Sequence, residues 1–288
     1  GKGVFKYAPP SGFLSLCTAN LPEPTIGANS LTQADDYFNT VLYTGASSGQ
    51  GITGVGFQPD WTWIKSRSHA SSHVLTDSSR GVTESLFSDT TAAESTLSGG
   101  VTAFGTDGFT LGTEGTVNTN TRTYVAWNWK ANGGTATASG SESGNNPAYS
   151  VQANPTAGFS IVTYTGTGGG GTVPHGLGAV PEVIIAKART NGDSYWLTYH
   201  AGLGNSAHYL ALNTTGAVDT GGAQVYTSTS PTSSVFSVGT STWINPNGGT
   251  MLAYCFAPVE GYSKFGGYTG NGNADGTFVF VGFAVKYL

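Results

Sequence analysis

The sequence predicts an all-β protein made of two tandem β-sandwich domains of jelly-roll type that arose by an internal duplication. Three observations predict this fold: short runs of β-branched and aromatic residues broken by Gly, Asn, Asp and Ser, almost no helical periodicity, and a series of motifs that recurs in order. Charged residues make up only 9% of the chain and aromatic residues 12%. The aromatic share predicts a packed core, because disordered chains lack that much apolar surface.

The first 36 residues fit neither repeat. Four prolines and scattered apolar residues within 1–36 predict an extended arm or the end of a preceding domain. Cys17 lies in this segment, and the other cysteine, Cys255, lies in the apolar run MLAYCFAPV, where burial as a small hydrophobic side chain is expected. The sequence leaves open whether the two cysteines form a disulfide, because it gives no distance between them.

The duplication is visible as a nearly constant spacing between matching segments. GFQPDWTWIKSRS at 56–68 aligns with GAVPEVIIAKART at 178–190, and the two differ by 122 positions. Further along, TYVAWNWKA aligns with TMLAYCFAP at a spacing of 127. The tripeptide YTG closes the first strand of each copy at Tyr43 and Tyr164 and occurs again at Tyr268. We therefore interpret YTG as a marker of a repeated structural unit.

These matches divide the chain into three parts after the arm. Residues 37–132 are predicted to form the first sandwich, and 133–157, rich in Gly, Ser and Asn, to form a linker. Residues 158–288 are predicted to form the second sandwich, in which a partial third copy occupies 264–288. Two strands alone are marginally stable in water, so we expect the third copy to complete the sheet of the second sandwich.

One strand of each repeat runs from apolar to cationic residues along one face, given the period of two in strands. Four of the eleven basic residues recur in these strands at equivalent positions: Lys65, Arg67, Lys187 and Arg189. They could contact an anion or an acidic glycan, or they could form structural ion pairs with a carboxylate such as Asp77 or Glu84. Recurrence in both copies favours the structural ion pair, because a duplicated domain keeps its scaffold more readily than a ligand site.

The loop NGNADG has a weak likeness to the start of a calcium-binding loop. Asn271, Asn273 and Asp275 alternate before a glycine, but the bidentate glutamate expected eleven residues after Asn271 is replaced by Gly282. A single carboxylate is too little charge to dehydrate a hard cation. The sequence therefore favours a hairpin turn built on Asp-Gly.

No residue pattern indicates catalysis. The five histidines lack zinc spacing, no G-x-S-x-G elbow is present, and the sixteen acids form no obvious pair. We predict no catalytic residue, no metal site and no cofactor. Aromatic side chains could stack on sugars, and the candidates are Trp243, Trp196 and Trp61. Trp243 lies nearest to turn residues, so it is the one expected to be exposed.

Charge and hydropathy exclude two classes of partner. The net charge is −5 with only 11 Lys and Arg, and no cluster of basic residues is present, so nucleic acid is not an expected partner. The longest apolar run is much shorter than a membrane span, so membrane insertion is not expected either.

Several motifs resemble a module of undefined function found in tail-fibre and other virion proteins of bacteriophages. The residues that carry the resemblance span 37–283 and read YFNTVLYTG, ITGVGFQPDWTWIKSRS, TYVAWNWKA, GFSIVTYTG, VPHGLGAVPEVIIAKAR and VEGYSKFGGYTGNG. In addition, GVFKYAPPSGFLSL at 3–16 is similar to the end of a lectin-like sandwich (SPRY or concanavalin type) that often precedes this module.

This resemblance implies a location in the virion, with other virion proteins and further copies of the chain as partners. The first hypothesis is a tail-fibre or receptor-binding component, a homotrimer, that contacts a polysaccharide on the host surface. The alternative is a capsid decoration or fibre-shaft protein without a ligand. An enzyme that degrades surface polysaccharide ranks last.

Overall fold

The computed structural model describes residues 25–27, 31–283 and 285, and this part of the chain is built almost entirely of antiparallel β-strands. The prediction of an all-β fold is confirmed. The short helical segments are 3-10 turns at Ala34–Asp36, Ala201–Leu203 and Gly222–Gln224 and the four-residue helix α1 at Gly115–Asn118. Among the described residues, no helix is long and apolar enough to span a membrane.

The described residues up to Trp129, which we call the first half, form nine strands. They are β1 (Phe38–Thr44), β2 (Gln50–Thr53), β3 (Trp61–Ser66), β4 (Val74–Asp77), β5 (Glu84–Phe87), β6 (Ser95–Thr96), β7 (Val101–Gly105), β8 (Gly108–Leu111) and β9 (Thr123–Trp129). Six of them form one sheet in the order β1-β9-β3-β4-β5-β6. The other three form a smaller sheet in the order β2-β8-β7.

The described residues after Trp129, which we call the second half, form nine further strands. They are β10 (Ala138–Gly140), β11 (Ala148–Asn154), β12 (Phe159–Thr165), β13 (Gly171–Pro174), β14 (Val183–Ala188), β15 (Leu197–His200), β16 (Leu210–Ala211), β17 (Val235–Val238) and β18 (Thr250–Phe256). A seven-stranded sheet has the order β10-β11-β12-β18-β14-β15-β16, and β13 pairs with β17. The order β1-β9-β3-β4 in the first half corresponds to β12-β18-β14-β15 in the second, so equivalent strands have equivalent neighbours.

Among the described residues, three clusters of buried apolar side chains lie between these sheets. One lies between the six- and three-stranded sheets, and another lies between the seven- and two-stranded sheets. The third core, which we call the central interface, joins the six- and seven-stranded sheets through Phe38, Trp61, Leu75, Leu86, Trp129, Ala131, Phe159, Ile161, Trp196, Leu252 and Tyr254. The four sheets are therefore stacked, and both faces of each large sheet are largely buried.

Strand β3 illustrates why both faces must be apolar. Ile64 belongs to the core of the first half, whereas Trp61 belongs to the central interface, as the period of two requires. The Trp61 ring stacks 4.1 Å from the ring of Trp129 and 4.0 Å from the ring of Tyr254 in the second half. Trp61 thus packs against the other half of the molecule instead of filling the sandwich to which its strand belongs.

Two segments differ from what the sequence predicts. Residues 133–157, expected to be a linker, include β10 and β11, and β11 pairs with all seven residues of β12. Residues 264–288, expected to add two strands to the second sheet, contain no strand in their described part. The physical reason is the same for both: β11 occupies the free side of β12, so that side is not an available sheet edge.

Part of the predicted N-terminal arm is described. Ile26 is fully buried, and a 3-10 turn at Ala34–Asp36 leads into β1. The rest of 1–36, including Cys17, lies outside the described residues. Cys255 is buried and is a free thiol, and burial raises its pKa to about 12.

The YTG motif forms the same corner in both halves. The hydroxyl of Tyr43 donates to the carbonyl oxygen of Val117 at 2.8 Å, and the hydroxyl of Tyr164 donates to that of Ile244 at 2.6 Å. Burial raises the pKa of both phenols, so each stays a proton donor. The interpretation of YTG as a structural marker is supported by these bonds.

A buried asparagine follows each acceptor and fixes the turn after the YTG strand. Asn118 accepts from the backbone N–H of Ala46 at 2.8 Å and donates to the carbonyl of Gly112 at 2.6 Å. Asn245 repeats both bonds with Thr167 and Gly239, at 2.8 and 2.9 Å. Both asparagines are 0% exposed, so their amides are structural groups.

The corners can be tested by removing one oxygen atom from each YTG tyrosine. We expect Tyr43→Phe and Tyr164→Phe each to lower the free energy of unfolding by about 1–3 kcal/mol, because a buried carbonyl loses its donor. Tyr268→Phe is the matched control, since Tyr268 is 73% exposed, and it should leave stability unchanged. Urea denaturation followed by circular dichroism measures all three. Equal losses in the three variants would contradict the corner.

Candidate functional site

The most exposed tryptophan of the described residues lies on the second half beside a tyrosine. Trp243 is 38% exposed, and its ring meets the ring of Tyr195 at a centroid distance of 5.2 Å and an angle of 88°. We call this pair the Trp243 platform. An indole surface that stays in solvent is a suitable partner for the apolar face of a sugar ring.

The platform is held rigidly by its neighbours in the chain. The next two residues are Ile244 and Asn245, both 0% exposed, and both belong to the Tyr164 corner. The hydroxyl of Ser194 also donates to the carbonyl of Trp243 at 3.4 Å. Ordering Trp243 when a ligand binds therefore costs little conformational entropy, because its backbone is already fixed.

Polar residues come just before Tyr195, the tyrosine of the platform, in the chain. Asn191 and Asp193 are exposed, and Asp193 has a left-handed backbone (φ 59°) in the loop that leads to Tyr195. Uncharged amides and a carboxylate can exchange hydrogen bonds with sugar hydroxyls. In the first half, Thr116 stands at the position equivalent to Trp243, 127 residues earlier. His73 stands at the position equivalent to Tyr195, 122 residues earlier. The platform is thus a feature of the second half alone.

The two other tryptophans predicted as sugar contacts are buried. Trp196 is 0% exposed, and its indole N–H donates to the carbonyl of Phe87 in the other half at 2.8 Å. Trp61 is 1% exposed within the aromatic stack of the central interface. Neither ring has a face open to a sugar, so both stabilise the contact between the halves. Period-two patterning could not distinguish these rings from Trp243, because it does not show which faces are covered.

One of the four recurrent basic residues joins the halves in a buried ionic cluster. Arg189 forms an ion pair with Glu94 at 2.7 Å, and Glu94 pairs on its other side with Arg80 at 2.7 Å. Arg80 pairs in turn with Asp77 at 2.6 Å, and the hydroxyl of Tyr254 donates to Asp77 at 2.7 Å. Arg189 therefore forms a structural ion pair, as considered from the sequence, and its partner is Glu94 instead of Asp77 or Glu84.

The other recurrent basic residues have separate environments. Lys187 is fully buried and donates to the carbonyls of Thr91 at 3.1 Å and Ala188 at 3.2 Å. Burial lowers its pKa to about 8. Lys65 donates to the carbonyl of Ser71 at 2.7 Å, and Arg67 is exposed. The four side chains thus form no common anion site.

An apolar groove opens at one side of the central interface. Its volume is about 330 Å³, and aromatic side chains dominate its lining, including Trp61, Trp63, Trp129, Phe159 and Phe256. Val281, Phe283 and Val285 of the C-terminal segment also line it. The groove offers burial for an apolar group and few polar contacts.

The NGNADG loop uses its side-chain oxygens within the loop. The N–H of Asn273 donates to Oδ1 of Asn271 at 3.0 Å, and the N–H of Asp275 donates to Oδ1 of Asn273 at 3.2 Å. Asn271 also donates to the carbonyl of Asp275 at 2.8 Å. These bonds are those of a turn. Throughout the described residues, no group of three or more His, Cys, Asp or Glu is placed to hold a metal ion.

The fold and this surface define an all-β protein with stacked antiparallel sheets and one exposed aromatic platform. A family model described as a domain of unknown function (DUF7483) matches residues 33–288, and the chain belongs to this family. The matched region includes both halves and the Trp243 platform. No curated protein and no solved structure shows significant similarity to the chain.

The ionic cluster predicts a specific dependence of stability on pH. Burial alone would raise the pKa of the Glu94 carboxyl, but the hydrogen bonds and charges of Arg189 and Arg80 outweigh burial and hold this pKa below its usual value. The stabilisation is therefore present above the pKa of the unfolded carboxyl and is lost as pH falls through the lower folded value. We expect Glu94→Gln to cost about 3 kcal/mol at pH 7 and much less near pH 3.

Urea denaturation of wild type and Glu94→Gln across pH 3–7 measures this difference. Glu84→Gln is the control, because Glu84 lies on the neighbouring strand β5 and accepts hydrogen bonds from Thr96 instead of from an arginine. A Glu94→Gln penalty that stays constant between pH 7 and pH 3 would contradict a role for the charge.

Proposed function

We propose that the protein is a structural component of a bacteriophage virion, a tail-fibre or receptor-binding part that contacts a polysaccharide on the bacterial surface. The observation that supports binding of a polysaccharide is the Trp243 platform, an exposed indole next to the buried Tyr164 corner. The virion context is supported by the likeness of motifs such as YFNTVLYTG to tail-fibre modules. The partners in this proposal are other virion proteins and further copies of the chain, as in a homotrimer.

The composition of the chain supports a neutral glycan as ligand. Only 9% of the residues are charged, and Arg80, Lys187 and Arg189 are committed to contacts inside the molecule. The surface therefore presents mainly Ser, Thr, Asn and backbone groups, which bind sugar hydroxyls through many weak hydrogen bonds. Stacking on Trp243 would supply the apolar part of the contact.

We also infer that the two halves arose by duplication of one sandwich. The shared strand order, the paired YTG corners and the asparagines 127 positions apart support this origin. Because Thr116 stands where the second half has Trp243, the ligand site would belong to the second half. The first half would then serve as the support that buries the other face of the seven-stranded sheet.

The glycan contact is tested by removing the platform. We expect wild type to bind at least one polysaccharide on an array of bacterial surface glycans, and Trp243→Ala to bind it at least about tenfold more weakly, a loss of about 1.4 kcal/mol. Leu212→Ala is the control, because Leu212 is also on the second half and is 42% exposed. Its binding should match wild type.

Two results would overturn the proposal. If wild type bound no glycan and an antibody to the chain labelled the capsid, the protein would be a decoration or shaft protein without a ligand. If Trp243→Ala and Leu212→Ala weakened binding equally, the platform would not be the site.

A further inference from the structure

Two segments of the second half run side by side at the Trp243 platform. Residues 190–195 follow β14 and end at the platform tyrosine, and residues 243–250 lead from the platform tryptophan into β18. At one end of the pair, the N–H of Thr250 donates to Oγ1 of Thr190 at 3.2 Å. The last residue of one segment thus contacts the first residue of the other.

The other end of the pair is joined in the same way. The hydroxyl of Ser194 donates to the carbonyl of Trp243 at 3.4 Å, and the ring centroids of Tyr195 and Trp243 are 5.2 Å apart. The two segments are therefore antiparallel, and the middle residues of one lie opposite the middle residues of the other.

The middle of each segment presents exposed polar side chains. On one segment, 244–246 are buried and Asn247 is exposed, and on the other both Asn191 and Asp193 are exposed. Within the described residues, the side chains of Asn191, Asp193 and Asn247 form no hydrogen bond and no ion pair. Their polar atoms are therefore available to a ligand beside the indole ring.

The first half has part of this arrangement without the tryptophan. Asn120 stands 127 positions before Asn247 and is also exposed, whereas Thr116 stands at the position of Trp243. The exposed asparagine therefore belongs to the duplicated corner, and it is combined with an exposed tryptophan in the second half alone.

We propose that Asn191, Asp193 and Asn247 bind the hydroxyl groups of a neutral pyranose ring that stacks on Trp243. The inference rests on the proposed glycan contact and identifies the polar contacts of that site. A carboxylate accepts hydrogen bonds from hydroxyl groups, and an amide both donates to them and accepts from them. The three side chains therefore select a sugar by its free hydroxyls, while the indole binds the apolar face of the ring.

Asp193 also determines which sugars are excluded. Burial lowers the pKa of Lys187 to about 8 and the charge of Asp193 opposes this shift, but the Lys187 ammonium is buried and donates to two backbone carbonyls. This cation is therefore unable to bind an acidic sugar at the surface. A carboxylate or phosphate on the glycan would lie beside the Asp193 carboxylate, and such a contact between like charges is unfavourable. The site thus accepts uncharged sugars and rejects anionic ones.

Variants of the three polar residues test this site on the array of bacterial surface glycans. We expect Asn191→Ala and Asn247→Ala each to bind the glycan of wild type about three- to tenfold more weakly, because a neutral hydrogen bond is lost. Asp193→Asn should bind it at least about tenfold more weakly, because the lost bonds have a charged acceptor. Asp193→Asn should also raise the binding of acidic glycans relative to neutral ones, which a folding defect would not do.

Two exposed residues away from the platform provide matched controls. Asn120→Ala removes the equivalent amide of the first half. Glu260→Gln neutralises an exposed carboxylate that follows β18, whereas the platform precedes that strand. Both controls should bind like wild type, and thermal unfolding shows that each variant is folded.

The outcomes separate this inference from the proposed function. If Trp243→Ala weakens binding and the three polar variants bind like wild type, the glycan contact stands and the inference is wrong. Equal losses in Asn120→Ala and Asn247→Ala, or a preference of wild type for acidic glycans, would also overturn the inference alone. The absence of glycan binding by wild type would overturn both.

Discussion

Burial of the Arg80 guanidinium between the two large sheets is the constraint on which the arrangement of the halves depends. A buried cation without partners would be strongly destabilising. Here Asp77 and Glu94 bind two of its nitrogens, and a third donates to the carbonyl of Leu75 at 3.0 Å. The second half completes the cluster, because Tyr254 donates to Asp77 and Arg189 pairs with Glu94. Displacement of one half against the other would separate Arg189 from Glu94 and Tyr254 from Asp77, so these two contacts favour the observed orientation of the halves.

The basic residues that form contacts between the halves are not available at the surface. Of the cations that contact the opposite half, Lys187 is buried and the Arg189 side chain is only 21% exposed, and a chain with 11 Lys and Arg has few others to expose. The surface is consequently poor in cations, and the net charge of the chain is −5. Trp243 owes its rigidity to the same corner that closes β12, because Ile244 and Asn245 are buried parts of that corner.

The sequence predicted the β class, the strand that contains Trp61 and the role of YTG, because these depend on local alternation and on motif spacing. It could not predict the central interface, because alternation shows which side chains share a face and does not show what covers that face. For the same reason alternation did not show that Trp61 and Trp196 are covered, although the turn residues beside Trp243 did indicate that it is exposed. The Arg189–Glu94 pair joins residues 95 positions apart, and no local pattern encodes that distance. Strand β11 was missed because its segment has the composition of a loop.

The YTG corner also explains why the third occurrence of the motif behaves differently from the first two. Tyr43 reaches an acceptor 74 positions later and Tyr164 one 80 positions later, so each corner joins segments that are far apart in the sequence of its half. Closing a loop of this length costs conformational entropy, which the bonds and packing of the corner must offset. The hairpin that contains Tyr268 has a formed turn and no such closure among the described residues. Its residues Phe278 and Phe280 are accordingly exposed, at 86% and 72%.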